Sequence, residues 1–425
     1  MANIAPRWSW IRRVDAWLLA TVLVAFGLRL AWALYADADP TDGRFDDSLL
    51  YHFLAIGIRD HSTYVNPFTG VATGTWPPGY PAFLAAVYSI FGVNVKAALA
   101  VQALLGALTV GATYLLGRQL FDRVSAAIAA LLLAVMPGQI FFAGILWSEV
   151  LFTLLFVLAL IAIAALSSRP ERERLAWAVA TALLVAAAAY VRETGLLLIP
   201  VAALYWGWSL RSWRSSLRFA GAAALLVALL ILPWAVRNTT QLDGFVVLSS
   251  STGTNFWRGH HSGATGGFDS IEPLIAASKP RDQPGGEADA HQRGMREGLE
   301  FLARNPLDEA KLSTAKVRWL YQGDRRSLQL TEADGQVSLL RAGVRSVFGH
   351  LADAAYYAVL TLSGVAMVRW VRERGSRPIL PVLAIGVVTL GYVAFWGDAR
   401  FHAPLMPLFC LLAGWALQPL LRPPA

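Results

Sequence analysis

Two adjacent carboxylates, Asp46 and Asp47, follow the first apolar stretch, in the segment Phe45-Asp46-Asp47-Ser48-Leu49-Leu50-Tyr51-His52. Acidic side chains beside a bilayer are costly unless they face water or serve a function. A carboxylate at a membrane surface can take a proton from an acceptor hydroxyl or amine, as a general base does. The alternative is a solvated acid that interacts with the dipole at a helix start. The pair suggests an enzyme that works on a lipid at the membrane surface.

A third acid, Glu149, stands after Trp147-Ser148, where one apolar stretch ends and the next begins. A second carboxylate could orient the first acid or the acceptor. Alternatively, Glu149 is an ordinary acid in the first turn of a helix that Ser148 caps.

Three arginines stand at the ends of separate apolar stretches: Arg192, Arg237 and Arg400. The planar guanidinium suits bidentate binding of phosphate. Three of them from different helices could clamp one lipid phosphate. The alternative for each is an arginine that extends to the lipid headgroups.

A polar, glycine-containing loop carries Asn255, Arg258, His260 and His261. It could hold a phosphate or a sugar. A metal site is disfavoured because adjacent histidines point apart on most backbones and no third ligand is evident. The sequence therefore predicts no metal and no cofactor.

The composition is that of a membrane protein. Of 425 residues, 56% are hydrophobic and only 15% are charged, and a soluble chain this apolar could not cover its surface. The net charge of +8 does not indicate nucleic-acid binding, because arginine is concentrated in short loops, as the positive-inside rule describes. The single cysteine, Cys410, excludes a framework of disulfides within the chain.

The order of apolar and basic segments predicts ten spans, with both termini in the cytoplasm. The segments 36–96 and 238–350 are then external, and the stretch 78–92 is a helix at the outer leaflet. Two external helices are expected, over 287–304 and 307–322, with a break at Asn305-Pro306. All seven histidines and the acids and arginines above then fall on the external side.

Three regions are expected from this topology. Residues 1–237 form a transmembrane catalytic module that includes the external loop 36–96. Residues 238–350 form a small external domain between the seventh and eighth spans. Residues 351–425 form the C-terminal spans.

Several motifs occur in an order that resembles a known family. They are Asp47 to His52, Pro77 to Ala85, Ser148-Glu149, Pro233 to Asn238, the loop from Asn255 to Gly267, and Gly397 to Pro407. This order resembles integral-membrane GT-C glycosyltransferases that use a polyprenyl-phosphate sugar, in particular the group related to protein mannosyltransferases and to the aminoarabinose transferase of lipid A. The resemblance covers nearly the whole chain and implies an all-α, polytopic GT-C fold.

The resemblance also implies a reaction and its residues. A sugar would move with inversion from a polyprenyl-phosphate donor to a lipid, glycan or protein acceptor. Asp47 would be the general base, with Asp46 as the other candidate, and Glu149 the second acid. Arg237 and Arg400, with Arg192, Arg258 or His260, would hold the donor phosphate. The substrate pocket would include Tyr51, His52, Trp76, Tyr80, Asn255 and His402. The active site would face the periplasm of a bacterial inner membrane.

One departure from the family pattern concerns the phosphate site. Many relatives have Lys or Arg immediately before the Pro-Pro pair, where this chain has Trp76.

Two other functions are open: a transporter or flippase of a lipid-linked sugar, and a non-catalytic scaffold of the same fold. Transporters often have inverted repeats and charged sites near the midplane. This sequence has no evident repeat, and its charges gather at one face.

Overall fold

The computed structural model describes residues 16–42, 46–332, 339–373 and 378–421, and their side chains except at positions 42, 46 and 421. This part of the chain consists of helices joined by turns and loops. Its only β-type pairing is an isolated antiparallel bridge between Val65 and Ala72. The predicted all-α class is confirmed.

The helices follow one another along the chain. Residues 16–241 contain α1 (Ala16–Ala36), α2 (Asp46–His61), α3 (Gly79–Phe91), α4 (Val95–Leu120), α5 (Arg123–Ala134), α6 (Pro137–Phe141), α7 (Glu149–Ser167), α8 (Glu171–Val191), α9 (Leu198–Ser209) and α10 (Trp213–Gln241). Residues 251–417 contain α11 (Ser251–Arg258), α12 (Glu272–Ala276), α13 (Gly286–Arg304), α14 (Pro306–Leu320), α15 (Arg325–Thr331), α16 (Ala342–Glu373), α17 (Ile379–Val393) and α18 (Met406–Leu417).

Seven helices within the described residues are long and apolar enough to cross a membrane. They are α1, α4, α7, α8, α10, α16 and the helical segment Ala399–Leu420, which includes α18. An eighth span results if α5 and the bent segment after it are taken together. The predicted sixth and ninth spans coincide with α9 and α17, which have 12 and 15 residues, fewer than the roughly 20 that a span needs. The predicted number of ten is therefore not confirmed.

A proline and a buried arginine lie at the bend after α5. The helix stops before Pro137, which has no N–H to donate, and the chain turns by 56°. Arg29, in the middle of α1, donates hydrogen bonds of 3.0 and 2.9 Å to the carbonyls of Leu133 and Ala134. Carbonyls that have lost helical partners inside a membrane need another donor. Arg29 supplies it, which accounts for a charge in an otherwise apolar span.

Small residues hold the last helix close to the rest of the bundle. A Cβ atom on Gly414 of α18 would lie only 2.4 Å from the carbonyl oxygen of Ser125 on α5. A Cβ atom on Gly117 of α4 would lie 2.8 Å from the Cβ atom of Ala126 on α5. Such close backbone approach is typical of packed membrane helices. It fixes α18, and with it the turn that precedes α18.

The segment between α10 and α16 docks on the loop between α2 and α3 through one buried carboxylate. Glu287, in the first turn of α13, accepts hydrogen bonds from Thr73 Oγ1 at 2.7 Å, the Gly74 N–H at 2.8 Å and Ser250 Oγ at 2.9 Å. A buried carboxylate is stable only when it is hydrogen-bonded in this way. This contact fixes α11 and α13 relative to the loop that leads from α2.

Two helices of this segment were expected from the sequence. The structure has α13 ending at Arg304 and α14 beginning at Pro306. Proline is tolerated in the first turn of a helix but not in its interior. The predicted break at Asn305-Pro306 is confirmed.

Candidate active site

An ion pair joins two distant parts of the chain. Asp47 lies in the first turn of α2, and its Oδ2 is 3.5 Å from a terminal nitrogen of Arg400, with 31% and 18% of the two side chains exposed. Arg400 lies in the turn before α18, which Asp398 stabilises by accepting the Arg400 backbone N–H at 2.8 Å. The structure thus places the predicted base in contact with one predicted phosphate-binding arginine.

A second guanidinium, that of Arg258 at the end of α11, approaches this pair. Asn255 Oδ1 and the carbonyl of Asp269 accept its N–H groups at 2.6 and 2.8 Å. Burial, together with the positive charge of Arg400, lowers the pKa of Arg258 to about 10, whereas Asp269 and Asp47 act in the opposite direction. Two neighbouring guanidiniums are stabilised by an anion such as phosphate.

A third arginine is paired with the second predicted acid. Glu149 begins α7 and is buried, and its Oε1 is 2.5 Å from a terminal nitrogen of Arg192, the residue that follows α8. The same nitrogen donates to Ser148 Oγ at 3.2 Å. The Ser148 side chain does not cap α7. Glu149 therefore holds Arg192 in place rather than acting only as a helix-terminal acid.

Tyr51, one turn after Asp47 on α2, connects the two ion pairs. Burial raises the pKa of its hydroxyl, and the negative charges of Asp47 and Glu149 raise it further. Arg192 and a hydrogen bond with the Ser148 side chain act in the opposite direction. The Tyr51 hydroxyl therefore keeps its proton at neutral pH and interacts electrostatically with both carboxylates.

The ring of Tyr51 packs on two further residues predicted for the substrate pocket. Its centroid lies 4.8 Å from that of Tyr80 and 6.0 Å from that of Trp76, both edge to face. The hydroxyl of Tyr80 donates to Gln102 Oε1 at 2.7 Å. Tyr80 is thus a buried support for Tyr51, whereas Trp76 remains partly exposed beside it.

Aromatic rings surround the arginines, which the sequence did not predict. The Arg400 guanidinium carbon lies 5.1 Å from the ring centroids of Trp147 and Phe401 and 5.7 Å from that of Trp396. The Arg258 guanidinium shares the Trp396 ring, at 5.0 Å. Cation–π contacts of this kind stabilise a guanidinium in place. In the sequence, Trp147 stands beside Ser148-Glu149 and Trp396 beside Gly397 to Arg400, and these positions could have indicated the aromatic contacts.

Arg237 lies in a different network. Its guanidinium donates to the carbonyls of Thr73 and Tyr64 at 2.6 and 2.5 Å. It also lies 4.9 Å from the ring centroid of Trp234. These contacts tie the end of α10 to the loop between α2 and α3. The structure does not bring Arg237 into contact with Asp47, Arg258 or Arg400.

His260 is buried in a third network. Its Nδ1 donates to the carbonyl of Phe256 at 2.7 Å, and its Nε2 lies 2.9 Å from Nζ of Lys316. Lys316 has no exposed surface and forms an ion pair of 2.9 Å with Glu309. His260 therefore links α11 to α14, and its ring nitrogens are occupied by protein groups.

His402 and His52 are also held by protein groups. His402 is buried, donates through Nδ1 to the carbonyl of Leu320 at 2.8 Å, and stacks on Tyr356. Nδ1 of His52 lies 2.8 Å from the hydroxyl of Tyr88 on α3. The structure places neither imidazole among the charged residues around Asp47.

Two sequence-based expectations remain predictions. The Asp46 side chain lies outside the described part of the chain. Among the described residues, no three His, Cys, Asp or Glu side chains are grouped so that they could hold a metal ion. The structure joins five of the predicted residues through two ion pairs and a shared aromatic ring: Asp47, Glu149, Arg192, Arg258 and Arg400. Tyr51 interacts with both ion pairs.

Comparison with known proteins gives a family match and a set of structural matches. A family model described as dolichyl-phosphate-mannose-protein mannosyltransferase matches residues 75–236. A search of the curated proteins by sequence found no significant match.

Structures of an oligosaccharyltransferase from Archaeoglobus fulgidus share the fold. One, in complex with Zn and sulfate, superposes with a TM-score of 0.57 and 17% identity, over 95% of this chain and 49% of that one. Another, the AglB protein with an inhibitory peptide and a dolichol-phosphate, gives 0.56 and 16%, over 96% and 51%. ArnT from Cupriavidus metallidurans bound to undecaprenyl phosphate gives 0.47 and 18%, over 92% and 78%.

This chain spans about half the length of the archaeal oligosaccharyltransferase. At 16–17% identity the likeness concerns the fold. The resemblance expected from the motifs is confirmed: the chain is a multi-pass membrane protein with the GT-C fold, and residues 75–236 match the dolichyl-phosphate-mannose-protein mannosyltransferase family.

Proposed function

We propose that this protein is a membrane glycosyltransferase that moves a sugar from a polyprenyl-phosphate donor to an acceptor, with inversion at the anomeric carbon. The observation that carries the proposal is the ion pair between Asp47 of α2 and Arg400 of the turn before α18, together with Arg258 of α11, which packs on the same Trp396 ring as Arg400. The matched family and the dolichol-phosphate bound by the archaeal protein of the same fold support this choice of donor.

The charges divide into a base and a phosphate site. Arg192, Arg258 and Arg400 face two carboxylates, Asp47 and Glu149, so that one positive charge is in excess. This excess favours binding of an anionic phosphate. Hydrogen-bond donors that are already positioned where charge develops on the leaving phosphate make the largest contribution to the rate of such a reaction.

The proposed step balances in atoms and charge. The acceptor O–H or N–H gives its proton to the Asp47 carboxylate, and the acceptor atom forms a bond to the anomeric carbon. The bond between that carbon and the phosphate oxygen breaks, and its electron pair leaves with the polyprenyl phosphate. Arg400 and Arg258 stabilise the charge that develops on this phosphate.

The ion pair between Asp47 and Arg400 gives this step an order. In the protein alone, Arg400 is the partner of the carboxylate. A bound lipid phosphate competes for the same guanidinium, because charge-assisted bonds to phosphate are strong. Donor binding would therefore release Asp47 to accept a proton.

The location follows the charge pattern of the sequence. We propose that the protein lies in a bacterial inner membrane with both termini in the cytoplasm, so that the site opens on the periplasmic side. The concentration of arginine in the opposite loops supports this orientation.

The test uses purified protein and a panel of radiolabelled polyprenyl-phosphate sugars. Wild type should release polyprenyl phosphate from one donor, and Asp47→Asn should release it about 10²–10⁴-fold more slowly, as expected for loss of a general base. Asp60→Asn is the matched control, since Asp60 is an exposed acid of the same helix that pairs with Arg59. It should behave like wild type.

The other outcomes separate the alternatives. Equal release by wild type and Asp47→Asn would refute Asp47 as the base and favour Asp46 or Glu149. If labelled donor crosses vesicles that contain the protein without formation of a glycosidic bond, the protein is a transporter. If a folded sample neither turns over nor transports any donor and Asp47→Asn retains the protein's cellular role, it is a scaffold.

A further inference from the structure

A polar cavity of about 710 Å³ lies beside the charged site. It is lined by the loop after α11, the turn between α14 and α15, the external end of α16, and Asp398. This volume is within the roughly 300–1,000 Å³ of ordinary small-molecule sites. The donor site proposed above does not use this cavity.

Three residues form a common wall between the cavity and the charged site. Asp398 lines the cavity and also holds the backbone N–H of Arg400. The Asp269 carbonyl accepts from Arg258, and the Phe268 ring lies 4.2 Å from the Arg258 guanidinium. A molecule in the cavity would therefore be one residue layer from the arginines.

The charged side chains of the cavity are paired with one another and favour a neutral ligand. Three carboxylates line the cavity, those of Asp269, Asp353 and Asp398, against two guanidiniums, those of Arg325 and Arg326. Asp353 is paired with Arg325 at 2.5 Å. Asp398 lies 3.9 Å from Arg326, and Asp269 interacts with the positive charge of Arg258. Each carboxylate of the lining thus already has a cationic partner, and a neutral ligand suits these balanced charges better than a phosphate or uronate.

The remaining lining suits hydroxyl groups and the faces of sugar rings. The side-chain amides of Gln322 and Gln329 have no hydrogen-bond partner within the described residues, and each offers both donors and an acceptor. Trp319 and Tyr357, with 40% and 46% of their surface exposed, also line the cavity. Amphipathic aromatic rings with polar groups between them bind molecules that have both apolar faces and hydroxyls.

We propose that this cavity binds a neutral saccharide, and that this saccharide is the acceptor or the part of the acceptor next to the reacting hydroxyl. The identification as acceptor rests on the proposed glycosyl transfer. The binding of a neutral saccharide rests only on the cavity.

The test compares sugars that differ in one charge. Methyl hexosides of the gluco, galacto and manno series are paired with the corresponding methyl hexuronides, in which a carboxylate replaces the primary alcohol. Binding to the full-length protein in lipid nanodiscs, free of glycoside detergents, is measured by saturation-transfer NMR. At least one hexoside should bind at or below about 50 mM, and its hexuronide about tenfold more weakly.

Two variants and a control assign the binding to the cavity. Trp319→Ala should weaken hexoside binding about tenfold, and Gln322→Ala about threefold, through lost ring contact and one lost hydrogen bond. Gln241→Ala, at an exposed glutamine outside the cavity, should leave binding unchanged. Gln322 is only partly buried, so its variant should keep the thermal unfolding temperature of wild type, which separates lost binding from lost fold. Gln241→Ala should also hydrolyse the donor at the wild-type rate.

Three results would overturn the proposal: no hexoside binds, the hexuronide binds as tightly as the hexoside, or both cavity variants bind like wild type. Failure of the proposed function is a separate result. If no donor is hydrolysed while hexosides bind in a manner that depends on Trp319 and Gln322, the cavity is a saccharide site but not an acceptor site. If the donor is hydrolysed and no hexoside binds, the transferase stands and the cavity proposal fails.

Discussion

The substitution Arg400→Lys tests whether the structure identifies the phosphate site correctly. Lysine keeps the charge but loses the planar fork and the stacking on Trp147, Trp396 and Phe401. Loss of one well-positioned donor to a developing oxyanion costs about 10²–10³ in kcat, or roughly 3–4 kcal/mol. Since lysine retains the charge, we expect a fall of about 10²-fold, at the lower end of this range.

The expected effect on stability is much smaller. The ion pair with Asp47 is partly exposed, at 31% and 18%, and such pairs contribute only about 0–1 kcal/mol. The lost cation–π contacts add roughly 0.5–2 kcal/mol. A protein with a usual stability of about 5–15 kcal/mol stays folded after such a loss. A large fall in turnover would therefore come from the chemistry and not from unfolding.

Arg237→Lys is the matched control, because both arginines end an apolar stretch and carry the same predicted role. Arg237 donates to two backbone carbonyls, and lysine would keep only part of this bonding, at a cost of about 1–2 kcal/mol. Turnover should stay within about threefold of wild type.

The assay is release of polyprenyl phosphate at saturating donor, with thermal unfolding measured on the same samples. Wild-type turnover in Arg400→Lys would refute the assignment of Arg400. Equal losses of turnover in both variants would show that the contacts of Arg237 do not exclude it from the phosphate site.

Three further predictions concern stability and position. Glu149→Gln should lower the free energy of unfolding by about 3 kcal/mol, measured by denaturant titration in detergent, because it leaves a partly buried arginine without its counter-charge. Gly397→Ala should lower turnover at least about tenfold, because the added methyl would lie 2.1 Å from the Lys316 carbonyl oxygen and displace the turn that carries the phosphate-binding arginine; Gly386→Ala, where nothing lies within 4 Å, should match wild type. Burial raises the pKa of Glu193 from 4.5 to about 7, so the folded protein favours the protonated carboxyl. The stability that the protonated form provides is lost as the pH rises from about 4.5 through about 7. Glu193→Gln should gain stability over wild type as the pH rises from about 5 to 8, by about 2–3 kcal/mol in thermal or denaturant unfolding; a constant difference would contradict the assignment.

The cost of placing charges beside a membrane made several residues of the candidate site recognisable in the sequence. A charge at the end of an apolar stretch is costly and therefore informative, and this argument selected Asp47, Glu149, Arg192, Arg237 and Arg400. The structure forms two ion pairs from four of them, Asp47 with Arg400 and Glu149 with Arg192, and places Arg237 elsewhere. The partners were not predictable, because each contact joins residues at least 43 positions apart.

The number of spans was harder to predict than their existence. Hydropathy does not show where a helix bends, and the carbonyls at the bend after α5 are satisfied by Arg29, a charge about 100 residues away. The apolar stretches of α9 and α17 also form helices shorter than a bilayer is thick. Composition therefore gives the fold class, while the count of spans depends on contacts between helices.

The contrast between Arg237 and Arg258 shows why residue type cannot assign a phosphate site. Arg237 has the stronger sequence argument, since it stands at the end of an apolar stretch in a family motif. Yet the backbone carbonyls of the loop between α2 and α3 satisfy its guanidinium. Arg258 is not at the end of an apolar stretch, but its guanidinium packs on the Trp396 ring, as that of Arg400 does. A guanidinium binds whichever acceptor the fold presents, so its role is decided by which loop closes over it. This is a long-range property of the bundle that no local motif encodes.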